Sequence, residues 1–268
     1  MIELPTERRP IQNYNPKLLV LFGKPKSGKS TLMASLDDNL IIDLEDGYRA
    51  LSVMAVVAKT SQQLFEVRDA LREKMGSPDN KVPYKYITID NATRLEEMAL
   101  NYAAQLYRST PMGQGWGMLK DKKNPMLNAK DKDGKPIPDP KADVRVLPNG
   151  AGYLYLRKAV KELIEMFKPF CETLILVAHV KDKQIKVNGE EMSEMAVDLA
   201  GKLGDIICGE ADAIGYIYRE GNKTIISFEG GDNTIKEARP LHLRGKKFIV
   251  AESDTSNNIK VNLSEIFI

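Results

Sequence analysis

Apolar residues along the chain follow two rhythms. Short unbroken runs occur at Lys17–Phe22 (KLLVLF), Leu40–Leu44 (LIIDL), Tyr84–Ile89 (YKYITI) and Thr173–Ala178 (TLILVA). Runs of this length, stopped by a Gly, an Asp or a His, are how strands buried on both faces of a parallel sheet read. Between them the spacing becomes helical. Leu64, Phe65, Val67, Leu71 and Met75 mark a helix over Ser61–Met75, opened by a serine cap. Leu95, Met98, Ala99, Tyr102 and Leu106 mark one over Thr93–Tyr107, and a third runs over Tyr153–Lys168 until Pro169 stops it. Strands alternating with helices predict a parallel sheet with crossover helices. Beyond residue 200 the rhythm changes. A short helix is expected over Gly201–Glu210, then strands at Ala213–Arg219, Lys223–Glu229 and Leu241–Val250, with tight turns such as Arg219-Glu220-Gly221-Asn222. The predicted fold class is therefore α/β: a mainly parallel sheet flanked by helices, with an antiparallel C-terminal extension, in one domain over 1–268.

Three stretches stand outside that pattern. Residues 1–16 are polar and bounded by prolines, and are expected to form an N-terminal arm. Residues 109–152 are rich in Gly, Pro and Lys with little apolar periodicity, and read as a flexible or hairpin-forming insertion. Residues 181–198 read as a polar loop. Charge adds a constraint: 39 Lys plus Arg against 37 Asp plus Glu leaves a net +2, so any grip on nucleic acid has to come from local patches. Cys171 and Cys208 sit in apolar contexts and read as buried thiols of a reducing compartment. The acidic, Pro-rich N-terminus does not read as a signal peptide, and no apolar run is long enough to span a bilayer. A cytoplasmic location with no membrane contact is expected.

The chemistry begins where the first run ends. Gly23-Lys24-Pro25-Lys26-Ser27-Gly28-Lys29-Ser30 fits G-x-x-x-x-G-K-[ST], and it follows a predicted strand and opens a predicted helix, the context this motif requires. Its glycines let the backbone turn tightly, so that successive N–H groups and the helix N-terminus point at an anion. Lys29 sets a compact charge against the β- and γ-phosphates, Ser30 offers a hydroxyl to Mg²⁺, and Thr31 adds one near the α-phosphate. ATP with Mg²⁺ is the expected ligand. Asp90 closes a strand at the sheet edge where ligands bind, and is expected to hold the metal through water. Glu45, just past the second strand, is placed to orient and deprotonate an attacking water. His179 ends the fourth strand, beside the expected γ-phosphate, and suits a sensor.

GKPKSGKS, IIDLEDG, YITID and LILVAH, in that order, resemble the RecA-like ATPase core. More closely, with Gly201-Lys202-Leu203, the sequence resembles the short phage-encoded ATP-binding proteins linked to single-strand annealing and recombination. The resemblance covers roughly residues 17–230. It implies Glu45 as catalytic glutamate, Asp90 as the metal-site aspartate and His179 at the sensor position, where the family usually has Gln. It also implies single-stranded DNA as a partner, a ring or filament of identical subunits, and a single-stranded DNA-binding protein as a further partner. No separate N-terminal polymerisation domain is evident in the sequence.

DNA contacts are expected in the loop after the sensor strand, with Lys181, Lys183, Lys186 and Lys202, though Glu190, Glu191 and Glu194 share it. A second candidate is the insertion, where Lys120, Lys122, Lys123, Lys130, Lys132 and Lys135 surround Trp116. Arg239, Arg244, Lys246 and Lys247 are candidates for a basic residue that completes a neighbouring subunit's site. Two other readings remain open on the sequence: a nucleotide-gated binding module with little turnover that works through a protein partner, and a helicase-type motor.

Overall fold

The computed structural model describes residues 4–268 except 5, 9, 11, 77–81, 188–189, 232–233 and 257, with backbone alone for 185–187 and 190–192. In chain order the elements are β1 (Leu18–Gly23), α1 (Lys29–Ala34), β2 (Asn39–Asp43), β3 (Met54–Val57), α2 (Ser61–Met75), β4 (Tyr84–Asp90), α3 (Ala92–Arg108), α4 (Gly152–Glu165), β5 (Cys171–Val187), β6 (Glu190–Val197), α5 (Leu203–Glu210), β7 (Ala213–Glu220), β8 (Lys223–Ser227), β9 (Glu237–Ala238), β10 (Lys247–Ser253) and β11 (Ile259–Val261).

The sheet runs in the order β11-β10-β8-β7-β1-β5-β4-β2-β3. β7, β1, β5, β4, β2 and β3 are parallel, and β8, β10 and β11 extend one edge in antiparallel fashion. This is the expected α/β fold, a mainly parallel sheet flanked by helices with an antiparallel C-terminal extension. Strand alternation builds the two cores. From β1, Leu18, Val20 and Phe22 pack with α2, α3, α4 and α5 on one face. Leu19 and Leu21 pack on the other face with Leu32 and Met33 of α1 and with Leu263, Ile266 and Phe267 of the C-terminal tail. The tail is tied to the N-terminal lead-in, where Asn15 Nδ2 donates to Ile268 O at 2.8 Å and Ile268 N–H donates to Asn15 Oδ1 at 2.9 Å. Both cysteines are free and buried, and burial pushes each thiol up to about 12. Among the described residues no helix is long and apolar enough to cross a membrane.

Several expectations are corrected. The stretch 181–198 is not a loop. β5 continues past the sheet edge to Val187 and pairs with β6 in an antiparallel ribbon, from Val180↔Val197 to Val187↔Glu190. The cap of α2 is Thr60, which accepts from Gln63 N–H at 3.2 Å, and not Ser61. The last long strand starts at Lys247 instead of Leu241, because Leu243 N–H and Arg244 N–H both turn back to Pro240 O.

The 109–152 segment carries the hairpin pairing, with bridges Met118↔Pro138, Lys120↔Asn128 and Lys130↔Pro136. Its C-terminal end is anchored in the main core by buried Val144 and Leu147. Trp116 packs edge-on against Tyr107, with centroids 5.3 Å apart, so it is not a free stacking platform. The anchoring predicts a sharp packing effect. A Cβ on Gly152, at the start of α4, would stand 1.6 Å from Val144 O. Gly152→Ala is expected to cost about 1–3 kcal/mol, read as a lower urea midpoint. Gly209→Ala in α5, where a Cβ meets nothing within 4 Å, is expected to leave the midpoint unchanged or raise it. Equal midpoints for Gly152→Ala and the parent protein would refute this account.

Candidate functional site

β1 delivers the chain to the carboxyl edge of the sheet at Gly23, and Lys24–Ser27 turn back toward α1. The return needs two left-handed residues, Lys26 at φ 62° and Gly28 at φ 99°. Gly28 is the N-cap of α1, and without a Cβ it takes that conformation freely. The amides of the first helical turn have no partner within the helix and are available to an anion. Lys29 is buried, and its Nζ donates to Gly23 O at 2.9 Å and Lys24 O at 2.8 Å. Burial lowers the ammonium's pKa, while the charges of Asp90 and Glu45 oppose that shift. An anion over the loop would oppose it further.

A cavity of about 430 Å³ opens over this turn. Pro25, Lys26, Gly28, Lys29, Ser30 and Thr31 line one side, and Glu45, Asp90 and His179 line the other. Gly23, Lys24 and Ser27 are not in its lining; the first two lend their carbonyls to Lys29, and Ser27 is buried behind the loop.

The acidic wall rests on sheet register. Asp43 and Asp90 stand opposite each other at the ends of β2 and β4. Their duties differ. Asp43 accepts from Glu45 N–H at 3.1 Å, Asp46 N–H at 2.7 Å and Tyr48 N–H at 3.2 Å, so its carboxylate is occupied in shaping the turn. That turn leaves Glu45 exposed at the cavity. Asp46 is committed outward to Arg49 and, at 3.8 Å, to Lys59. Asp90 Oδ2 accepts from Ser30 Oγ at 3.3 Å and from Tyr48 Oη at 2.7 Å. Burial raises the Asp90 carboxyl, and the Tyr48 hydrogen bond and the Lys29 charge hold it down. Burial likewise pushes the Tyr48 phenol upward. A desolvated carboxylate beside a serine hydroxyl is a hard-oxygen donor pair of the kind Mg²⁺ takes, so the residues fit the metal. Asp90 does not cap α3. Asn91 does, its Oδ1 accepting from Arg94 N–H at 3.0 Å.

His179 stands level with Gly23 across the β1–β5 ladder. Its Nε2 lies 3.4 Å from Asn91 Nδ2. Asn91 uses its oxygen on the helix cap, so its nitrogen is left to donate. Nε2 can accept from it in the tautomer that carries the ring proton on Nδ1. Nδ1 is buried without a partner among the described residues. The His179 carbonyl accepts from Asp198 N–H at 2.9 Å, and Thr93 Oγ1 donates to Asp198 O at 2.9 Å. The exit of the ribbon is thus bonded both to β5 and to the first turn of α3.

Tyr48, Asn91 and Arg219 also line the cavity, and no motif in the sequence marks them. Asn91 follows Asp90 and Tyr48 follows Glu-Asp-Gly, so proximity to a motif was the available signal for two of them. Arg219, from β7, had none.

The residues expected to grip DNA fare differently. Lys183 Nζ donates to Asp205 at 2.7 and 2.8 Å and lies 3.7 Å from Glu194. Lys181 bonds to Leu199 O and lies 3.8 Å from Asp198. Both are partly neutralised inside the protein. The side chains of Lys186, Glu190 and Glu191 lie outside the described residues. Lys202 and the insertion lysines are exposed. Of the residues considered for action on a neighbouring subunit, Arg239 is spent on Asp212 and Gly209 O, and Arg244 on Ala238 O and Arg239 O. Lys246 and Lys247 are exposed.

Comparison with known proteins bears on the whole arrangement. Residues 15–239 match the family model described as AAA domain. No curated protein matches the sequence. Among solved structures the chain is similar to one described as the crystal structure of the RadB recombinase, at 12% identity and a TM-score of 0.45, over 93% of this chain and 92% of that one. The family match spans every residue that lines the phosphate cavity, and the chain belongs to the AAA domain family as a P-loop nucleotide-binding ATPase domain.

Proposed function

We propose that the protein binds ATP with Mg²⁺ and hydrolyses it while acting on single-stranded DNA, as a RecA-like protein of recombination or annealing of the kind that phages encode. One observation carries the reading: Lys29, Ser30, Glu45, Asp90 and His179, scattered over the sequence, line a single cavity. Lys29 turns from its loop carbonyls to the β- and γ-phosphates. Ser30 and Asp90 hold Mg²⁺, whose chemistry there is to neutralise charge on those phosphates. Glu45 orients a water and takes its proton as the water oxygen bonds to the γ-phosphorus and the bond to the β-phosphate oxygen breaks. His179, steered by Asn91, reads the γ-phosphate and passes its state through Asp198 to the ribbon. The protein works as an oligomer, with the DNA and a single-stranded DNA-binding protein as partners.

The test is ATP turnover with and without an oligonucleotide, with particle size measured on the same samples. Turnover is expected to rise with single-stranded DNA at low salt and to lose that stimulation as salt increases. The internal pairing of Lys181 and Lys183 favours a second reading, a nucleotide-gated module that works through a protein partner. Absence of stimulation at low salt would establish that reading in place of the first.

A further inference from the structure

Phe22, Tyr216 and Tyr218 form a ladder of rings from core to surface. Phe22 is fully buried and meets Tyr216 at 5.2 Å between centroids. Tyr216 stacks on Tyr218 at 5.5 Å with the planes 16° apart. Register explains both contacts. Phe22 is the sheet partner of Tyr216 across β1 and β7, and Tyr216 and Tyr218 share a face of β7 because strand side chains alternate. The two tyrosines are half-buried.

They line a second cavity, of about 330 Å³, on the other side of the phosphate loop. Lys24, Lys26 and Arg219 also line it, and all three are exposed. None of them has an ion-pair partner among the described residues, unlike Lys181 and Lys183 of the ribbon. Acidic groups stand nearby: Glu220 and Glu229 near Tyr218, and Asp182 near Tyr216. Burial first, then these carboxylates, hold both phenols above their ordinary range, so both rings stay neutral. Stacked neutral aromatics rimmed by unpaired cations have the composition of a single-strand binding platform, where bases stack and phosphates meet basic side chains.

We propose that this cavity binds single-stranded nucleic acid, with a base stacked on Tyr218 as the next ring of the ladder and flanking phosphates on Lys24, Lys26 and Arg219. The inference rests on the single-strand reading given above and locates the contact away from the ribbon and the insertion. Pro25, Lys26 and Arg219 line both cavities, so strand and nucleotide meet across one loop. Binding at either is then felt by the backbone that holds the other.

The test is fluorescence anisotropy of a labelled oligo(dT) against the full chain at several salt concentrations, with affinity for a slowly hydrolysed ATP analogue measured in parallel. Tyr218→Ala is expected to weaken oligonucleotide binding on the order of tenfold and to leave analogue affinity unchanged. Tyr218→Phe keeps the ring and is expected to bind as the parent does. Arg219→Ala is expected to reduce the slope of log affinity against log salt by about one phosphate contact. It gives a reading even where Tyr218→Ala folds poorly. Parent-like oligonucleotide binding by both Tyr218→Ala and Arg219→Ala overturns the inference and leaves the single-strand reading standing. A parent protein that does not bind oligonucleotide at low salt overturns both. Loss of analogue affinity alone in Tyr218→Ala assigns the cavity to the base of the nucleotide itself and also overturns the inference.

Discussion

Lys29→Ala is expected to lower ATP affinity on the order of 100-fold or more, about 3 kcal/mol at the charge-assisted strength of such contacts. The side chain is the one buried cation at the phosphate cavity among the described residues, and it is already desolvated before any ligand arrives. Its two hydrogen bonds to Gly23 O and Lys24 O place the ammonium under the turn. A triphosphate therefore meets a charge that is positioned and stripped of water, where Coulomb energy is far larger than at a surface. Alanine removes that charge and both of its bonds to the loop, leaving Lys24 O with the 3.3 Å bond from Ser27 N–H, so the turn loses an internal tie as well. Calorimetric titration with a slowly hydrolysed analogue measures the loss. A melting curve of the ligand-free variant separates loss of contact from collapse of the turn. Affinity within threefold of the parent, in a variant that melts normally, would end the claim that this loop binds the triphosphate.

The parts of this site that could be read in the sequence share a cause. β1, β2, β4 and the first part of β5 are buried on both faces, so their apolar runs are unbroken and their ends are marked by Gly23, Asp43, Asp90 and His179. Parallel strands bring those ends to one edge, so finding the runs amounted to finding the site. The ribbon of β5 and β6 was misread for the complementary reason. Lys-Asp-Lys-Gln has no apolar face, and a two-sided polar strand carries no period that distinguishes it from a loop. β3, β9 and β11 are short edge pieces of 4, 2 and 3 residues, with mostly exposed side chains. Trp116 illustrates a different limit. Basic residues around an aromatic describe a composition, but whether the ring is free is decided by Tyr107, a contact set by the fold. Likewise Lys183 is a free cation in sequence and an ion-paired one in space, because Asp205 arrives from α5. Tyr216 and Tyr218 were visible only as an alternating strand. Their proximity to Lys24 and Lys26 follows from β7 lying beside β1, which the order of elements does not state.

Glu45→Gln is expected to bind ATP as the parent does and to lose turnover by about 10²–10⁴-fold, the usual weight of a positioned general base. The alternatives among nearby carboxylates are limited by geometry. Asp43 has both oxygens engaged with backbone N–H groups of its own turn, Asp46 faces Arg49 and Lys59, and Asp90 is held by Ser30 and Tyr48. Glu45 is the carboxylate that lines the cavity with its side chain exposed and without a side-chain partner among the described residues. It is close enough that its charge acts on both Lys29 and Asp90. Glutamine has nearly the same shape and keeps a carbonyl that can accept from water, but it cannot take the proton. Binding and chemistry are thereby separated: analogue affinity tests the first, and single-turnover release of phosphate tests the second. Removing a negative charge beside a triphosphate also relieves repulsion, so affinity is expected to hold or improve while turnover falls. Asp46→Asn makes the same change of charge one residue away on a side chain that faces outward, and is expected to keep turnover near the parent's. If Glu45→Gln turned over normally while Lys29→Ala failed to bind, the cavity would still be a nucleotide site, and the water would have to be activated by some other group.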